Sequence, residues 1–160
     1  MLRSLTKNHG LAGLRLGYLV ADPVVVDAVN QARPPWTVNA LAQAAGLAAL
    51  GDDEHLVEGR RLARRAKARL VDGLARLELA CVPSRTSYWL VQVGNGRLVR
   101  DELLRRGILV RDASSFGLPD YIRVASRSLD DCERLLAALS WLLSSGRLDV
   151  AGRRDSSTDT

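Results

Sequence analysis

The spacing of apolar positions along the 160-residue chain changes several times, and each change marks an element. Arg3–Thr6 reads as the end of a strand, followed by a loop broken by Gly10 and Gly13 and then a strand over Leu14–Val20. Asp22 followed by Pro23 predicts an N-cap and first helical position, opening a helix that runs to about Ala32. The run Arg33-Pro34-Pro35-Trp36 breaks it, and Thr37 or Asn39 opens an alanine-rich helix to about Leu50. Gly51-Asp52-Asp53 ends that helix and caps a long amphipathic one reaching about Leu77. Its apolar stripe is Leu56, Ala63, Leu70, Leu74 and Leu77.

Beyond Leu77 shorter apolar runs take over. Leu79–Val82 and Ser87–Val93 are predicted strands; Tyr88, Trp89, Leu90 and Val91 are almost unbroken apolar, the pattern of a strand buried on both faces. Arg97–Arg106 reads as a helix stopped by Gly107. Ile108–Asp112 and Tyr121–Arg127 are further strands, and Ser128 with Asp131 three residues on opens a helix to about Leu143. After Ser144 the composition turns to Gly, Arg, Asp, Ser and Thr, which predicts a disordered tail. The alternation over residues 53–145 predicts a small two-layer α/β sandwich domain. Residues 1–52 hold too few elements to close a core and read as the end of a larger domain. Residues 146–160 are the tail.

Composition narrows the class. Apolar residues are 47% and charged ones 26%, as in a globular chain with a core, and no apolar run reaches the ~18 residues of a membrane span. The net charge of +5 raises the question of nucleic acid. Arg60, Arg61, Arg64, Arg65, Lys67 and Arg69 form one dense run, but it fits the solvated face of the long helix, and aromatics for base stacking are sparse. The expectation is therefore neither nucleic acid nor membrane as partner. Cys81 and Cys132 lie far apart without a C-x-x-C pattern and read as free thiols of a reducing cytoplasm, in keeping with an N-terminus that lacks a signal peptide. His9 and His55 are isolated, so no metal site is expected.

Among 23 basic residues only Lys7 and Lys67 are lysine. Lys67 belongs to the solvated run, where arginine would serve as well. Lys7 is placed at a strand end beside Ser4 and Thr6, ahead of the glycine loop, with Arg15 eight residues on. A desolvated lysine near another cation loses its proton near neutral pH and attacks carbonyls, while hydroxyls and a guanidinium bind phosphate. Such a set suits pyridoxal phosphate, which needs an amine for its aldehyde and an anchor for its phosphate. The same residues equally describe a surface lysine and a salt-bridging arginine.

The run Ser4-x-Thr6-Lys7-x-x-Gly10-Leu11-x-Gly13-x-Arg15-Leu16-Gly17 resembles the lysine-attachment signature of class I/II aminotransferases, fold-type I pyridoxal-phosphate enzymes. The resemblance implies that Lys7 bonds the cofactor aldehyde, that Ser4 and Arg15 hold its phosphate, and that Thr6 lines the pocket. Pro35–Gln43 is similar to a segment of threonine-phosphate decarboxylases and their cobalamin-pathway relatives, with Asn39 facing the substrate. Gly107–Asp112, Ser114-Ser115-Phe116 and Tyr121–Ala125 look like the C-terminal domain of that branch. In the wider group the arginine matching Arg123 grips the substrate's carboxylate, or the phosphate in histidinol-phosphate aminotransferases, and Arg111 matches a second anionic contact. Taken by themselves, both arginines could be ordinary strand-edge salt bridges.

The likeness runs to about Leu143 but covers only the last part of a family member, the end of the large domain and the small α/β domain. It implies an enzyme fragment acting on an amino acid or amino-phosphate, as a homodimer or joined to a missing N-terminal half. A threonine-phosphate decarboxylase-like activity is the first expectation, and histidinol-phosphate-type transamination the alternative. A third reading is a non-catalytic α/β module binding a partner through the basic helix Glu54–Leu77.

Overall fold

The computed structural model describes residues 1–148. The chain divides into two compact units, Met1–Arg61 and a second that begins at Leu62.

In the first unit, β1 (Leu2–Ser4) pairs antiparallel with β2 (Gly17–Leu19), Ser4 opposite Gly17. Between them lie a one-turn helix, α1 (Leu5–Asn8), and a 3₁₀ turn at Ala12–Leu14. Lys7 therefore sits on a helical turn and not on a strand end. The cause is local: the Ser4 hydroxyl accepts the Thr6 amide at 3.3 Å, which ends the strand one residue into the expected stretch. β2 likewise starts at Gly17 instead of Leu14, because Arg15 adopts φ +52° and interrupts the extended backbone. Gly17 is required where it stands, since a Cβ there would lie 2.7 Å from the Arg3 carbonyl oxygen. α2 (Pro23–Ala32) begins on the Asp22 cap as the Asp-Pro pair predicts, and α3 (Ala40–Leu50) begins on Asn39. Asp52 accepts the His55 amide and starts α4 (Asp53–Arg76). The unit buries few apolar side chains, chiefly Leu5 and Ala42, while Val24, Trp36, Leu41 and Leu47 stand exposed.

The second unit is a three-stranded antiparallel sheet with helices packed against one face. β3 (Tyr88–Gln92), β4 (Arg111–Asp112) and β5 (Tyr121–Ala125) lie in the order β3-β5-β4. α5 (Gly96–Leu104), α6 (Leu129–Ser144) and the C-terminal half of α4 cover the inner face, burying Leu70, Leu74, Val99, Leu103, Leu139 and Leu142 against Trp89, Val91, Ile122 and Val124. β3 is not buried on both faces as its apolar run predicts. Tyr88 is 45% exposed, and Leu90 and Gln92 are only partly covered. An antiparallel sheet covered by a single helical layer leaves its other face to solvent.

Other boundaries move for identifiable reasons. Leu79–Val82 makes only a single bridge, Cys81 to Val91, and the next carbonyl along β3, that of Tyr88, is taken by the hydroxyls of Ser84 and Thr86. Ile108–Val110 stay outside the sheet, and pairing is confined to Arg111 and Asp112. On α4 the buried positions are Ala66, Leu70, Gly73 and Leu74; Ala63 is exposed, and Leu56 is partly covered. α6 opens on Ser128, whose hydroxyl accepts the Asp131 amide at 3.1 Å. At the end of the described chain Gly146 turns at φ +68°, Leu148 is buried, and Arg147 donates to Glu102 at 3.0 Å. The rest of the expected tail, 149–160, lies outside the described residues.

Arg60, Arg61, Arg64 and Arg65 do form an exposed face. Lys67 does not belong to it. Its ammonium donates to the carbonyls of Ser84 and Thr86 at 2.5 and 3.0 Å and lies 5.6 Å from the centre of the Trp89 ring. Both cysteines are free, and among the described residues no helix is long and apolar enough to cross a membrane and no group of side chains could hold a metal ion.

Candidate active site

The lysine-bearing turn is built by its own sequence. Ser4 ends β1 and caps α1, placing its hydroxyl 3.0 Å from that of Thr6, with Lys7 next on the same turn. Lys7 is exposed, and its ammonium forms no hydrogen bond or ion pair among the described residues. The pairing of β1 with β2, continued by the Leu5 amide donating to the Leu16 carbonyl at 3.1 Å, brings Leu16 and Gly17 alongside Leu5 and Ser4. Arg15 itself turns back, donating to the Ala12 carbonyl at 3.0 Å, and has no carboxylate partner among the described residues. Asn39, read from the sequence as a substrate contact, uses its side-chain carbonyl to cap α3, accepting the Ala42 amide at 2.8 Å. Its amide group is the part left for any ligand.

In the second unit the strands bring Arg111 and Arg123 together. They are register partners on β4 and β5, so two guanidiniums stand opposite each other on the open face of the sheet. Neither forms an ion pair with a carboxylate among the described residues, which removes the salt-bridge alternative. Each instead lies over an aromatic ring: Arg111 over Phe116 with 4.5 Å from guanidinium carbon to ring centre, Arg123 over Tyr88 at 4.9 Å. Like charges directly opposite on a sheet destabilise it, so an arrangement that keeps both unpaired is fitted to an anion.

Sequence reasoning missed the groups that frame this pair. The apolar run places Tyr88 in the core, and Phe116 stands out only as part of the Ser114-Ser115-Phe116 motif. The signal that could have found them is the alternation along β3, where the residues on either side of Trp89 must face away from the core. Asp112 enters the sequence reading only as the end of the Gly107–Asp112 motif, with no role of its own. Its carboxylate accepts the amide and hydroxyl of Ser114 at 3.0 and 2.6 Å. Those two bonds hold the carboxyl below its ordinary range, with a smaller contribution from the charges of Arg97 and Arg100. Burial raises the thiol of Cys81, the one half-buried cysteine, away from the thiolate form.

Comparison with known proteins gives a consistent picture. The family model for aminotransferase class I and II matches residues 1–139. A histidinol-phosphate aminotransferase of Symbiobacterium thermophilum is 46% identical over 145 residues, covering 90% of this chain and 40% of the relative. A histidinol-phosphate aminotransferase of Sinorhizobium meliloti, solved in complex with pyridoxal-5'-phosphate, superposes with a TM-score of 0.81 at 29% identity, over 90% of this chain and 40% of that one. L-threonine-O-3-phosphate decarboxylase from Porphyromonas gingivalis gives 0.76 at 27% identity, over 90% and 46%. The chain thus spans about 40% of the length of the curated relatives it matches.

Proposed function

The chain belongs to the aminotransferase class I and II family, and from this premise we propose that it carries the lysine and the substrate grip of a pyridoxal-phosphate-dependent aminotransferase of the histidinol-phosphate type. The expectation of a threonine-phosphate decarboxylase gives way to its alternative, because the relative at 46% identity is a histidinol-phosphate aminotransferase whereas the likeness to the decarboxylase stands at 27%.

The residues present fit the cofactor. Among the described residues, a lysine with no competing partner stands beside two hydroxyls 3.0 Å apart, and Arg15 brings a guanidinium with no carboxylate attached. Lys7 would bond the cofactor's aldehyde, and Ser4, Thr6 and Arg15 would hold its phosphate. When bound, the cofactor supplies an electron sink that makes the substrate's Cα–H bond acidic. Lys7 is then the group that takes the proton from Cα and returns it, the role of a general acid–base in transamination. Arg123 binds the substrate's anionic group through paired N–H donors, and Arg111 adds the second contact.

The observation that carries the reading is the unpaired Arg111–Arg123 juxtaposition, which calls for a ligand of concentrated negative charge such as a phosphate monoester. Two measurements test it. Pyridoxal phosphate added to the full chain gives a visible absorbance that Lys7→Ala abolishes; the same absorbance in the variant overturns the assignment of Lys7. Titration with histidinol phosphate and with histidinol shows a preference for the phosphate, and Arg123→Ala weakens binding by roughly 2–5 kcal/mol. Equal affinity for both ligands, or an unchanged affinity in the variant, overturns the substrate class.

A further inference from the structure

We infer that Phe116 and Tyr88 are positioning residues that hold the two guanidiniums of Arg111 and Arg123 flat and side by side for an anion. The inference rests on the reading of those arginines as the substrate grip.

Both rings are poorly explained by packing. Phe116 is 52% exposed and Tyr88 45%, on the face of the sheet away from the core. Each carries one guanidinium over its ring, at 4.5 and 4.9 Å. A guanidinium lying on an aromatic face keeps its N–H edge free, and that edge is the part that meets an oxyanion. Without the rings, two like charges on opposite register positions would swing apart into solvent. Any anion binding both would first have to bring them back.

The backbone beneath each ring is pinned. Asp112 accepts the Ser114 amide and hydroxyl, and the amides of Phe116 and Gly117 donate back to Ala113 and Ser114 at 2.9 Å. Gly117 closes the turn at φ +76°, a conformation that favours glycine. Ala113 is fully buried and donates to the Tyr121 carbonyl at 3.1 Å, tying the turn to β5. The segment from Arg111 to Gly117 is therefore a short clamp that returns an aromatic onto the arginine five residues before it. On the other side the carbonyl of Tyr88 accepts the hydroxyls of Ser84 and Thr86, both at 2.7 Å. Neither ring can leave its guanidinium by a backbone movement without breaking these bonds.

The test uses the full 160-residue chain and inorganic phosphate as the probe, with binding followed by NMR of the arginine Nε–Hε groups. Phe116→Leu is expected to shift the Arg111 resonance in the free protein and to weaken phosphate binding roughly fivefold, about the loss of one exposed cation–π contact. Phe116→Tyr, which keeps the ring face, restores both. Tyr88→Leu and Tyr88→Phe behave in the same way at Arg123. The methyl resonances of Ile122 and Val124 stay in place throughout, which separates positioning from a general loss of fold. If Phe116→Leu binds phosphate as the parent does while Arg123→Ala abolishes binding, the positioning role is overturned and the grip stands. Equal losses in Phe116→Leu and Phe116→Tyr overturn the ring-face argument too. If the parent gives no phosphate response, or Arg123→Ala leaves it intact, the reading of the grip itself falls.

Discussion

Lys67→Met tests the clearest departure from the sequence reading. Methionine keeps the stem and most of its contact with Trp89 while removing the ammonium. What is lost is a pair of charge-assisted hydrogen bonds to the Ser84 and Thr86 carbonyls and a cation held 5.6 Å from the Trp89 ring centre. Hydrogen bonds to charged groups contribute about 1.5–3 kcal/mol. The two here share one partly solvated ammonium, which sets their joint contribution near the lower end, at about 2 kcal/mol. The cation–π contact adds about 0.5–1 kcal/mol. The expected destabilisation of the second unit is about 2–3 kcal/mol, roughly a 30- to 150-fold change in its unfolding equilibrium. With a urea dependence of about 1–3 kcal/mol/M, the midpoint falls by about 0.7–3 M. Trp89 is 3% exposed, so its fluorescence reports the unfolding of the unit that holds it. Lys67→Arg keeps the charge and loses less. A midpoint for Lys67→Met within 0.2 M of the parent, a margin of roughly 0.5 kcal/mol at this urea dependence, refutes the reasoning and returns Lys67 to the solvated face.

Two further outcomes follow from the same unit. Leu139, fully buried between α6 and the sheet, should cost about 2–5 kcal/mol when cut to alanine, read as a lower urea midpoint with an unchanged slope; a smaller loss means the site collapses around the cavity. The Glu102 carboxyl is held below its ordinary range first by its hydrogen bond from Arg106 and then by Arg147 and the charge of Arg105, against the opposing effect of burial. A carboxyl lowered in the folded state adds stability above its unfolded value near pH 4.3, and that stability is lost as pH falls through the folded value. Thermal midpoints from pH 6 to pH 3 should therefore drop more steeply for the parent than for Glu102→Gln, and parallel slopes exclude the linkage.

The elements that could be read from the sequence are those fixed by local chemistry. Asp22, Asn39 and Ser128 each offer a side-chain oxygen that accepts a free amide of the first helical turn, and each caps a helix, Asn39 being the one of the pair Thr37 and Asn39 that does so. The errors cluster where tertiary contacts decide. Tyr88-Trp89-Leu90-Val91 is apolar on both faces, so its pattern cannot show that one face is left open for arginines. Lys67 is indistinguishable from its arginine neighbours until the Ser84–Thr86 loop is folded beneath it. Lys7 is expected at a strand end and lies instead on the turn of α1, because the hydroxyl of Ser4 ends β1 earlier than the strand pattern suggests.

The pairing of Arg111 with Arg123 shows why the proposed substrate grip is legible in the sequence only as a family likeness. The eleven residues between them follow no helical or strand period that would bring one to the other. Their meeting depends on the turn at Ser114–Phe116 and on the antiparallel register of β4 with β5. Once formed, the register sets two positive charges opposite each other on an exposed sheet, an arrangement unfavourable to the fold itself. A carboxylate on β3 could have neutralised it, yet the neighbouring positions hold Tyr88, Leu90 and Gln92. Stability alone would favour a counter-charge at one of these sites. Its absence, with aromatic faces where acids could stand, keeps the positive field available to a ligand that brings its own negative charge.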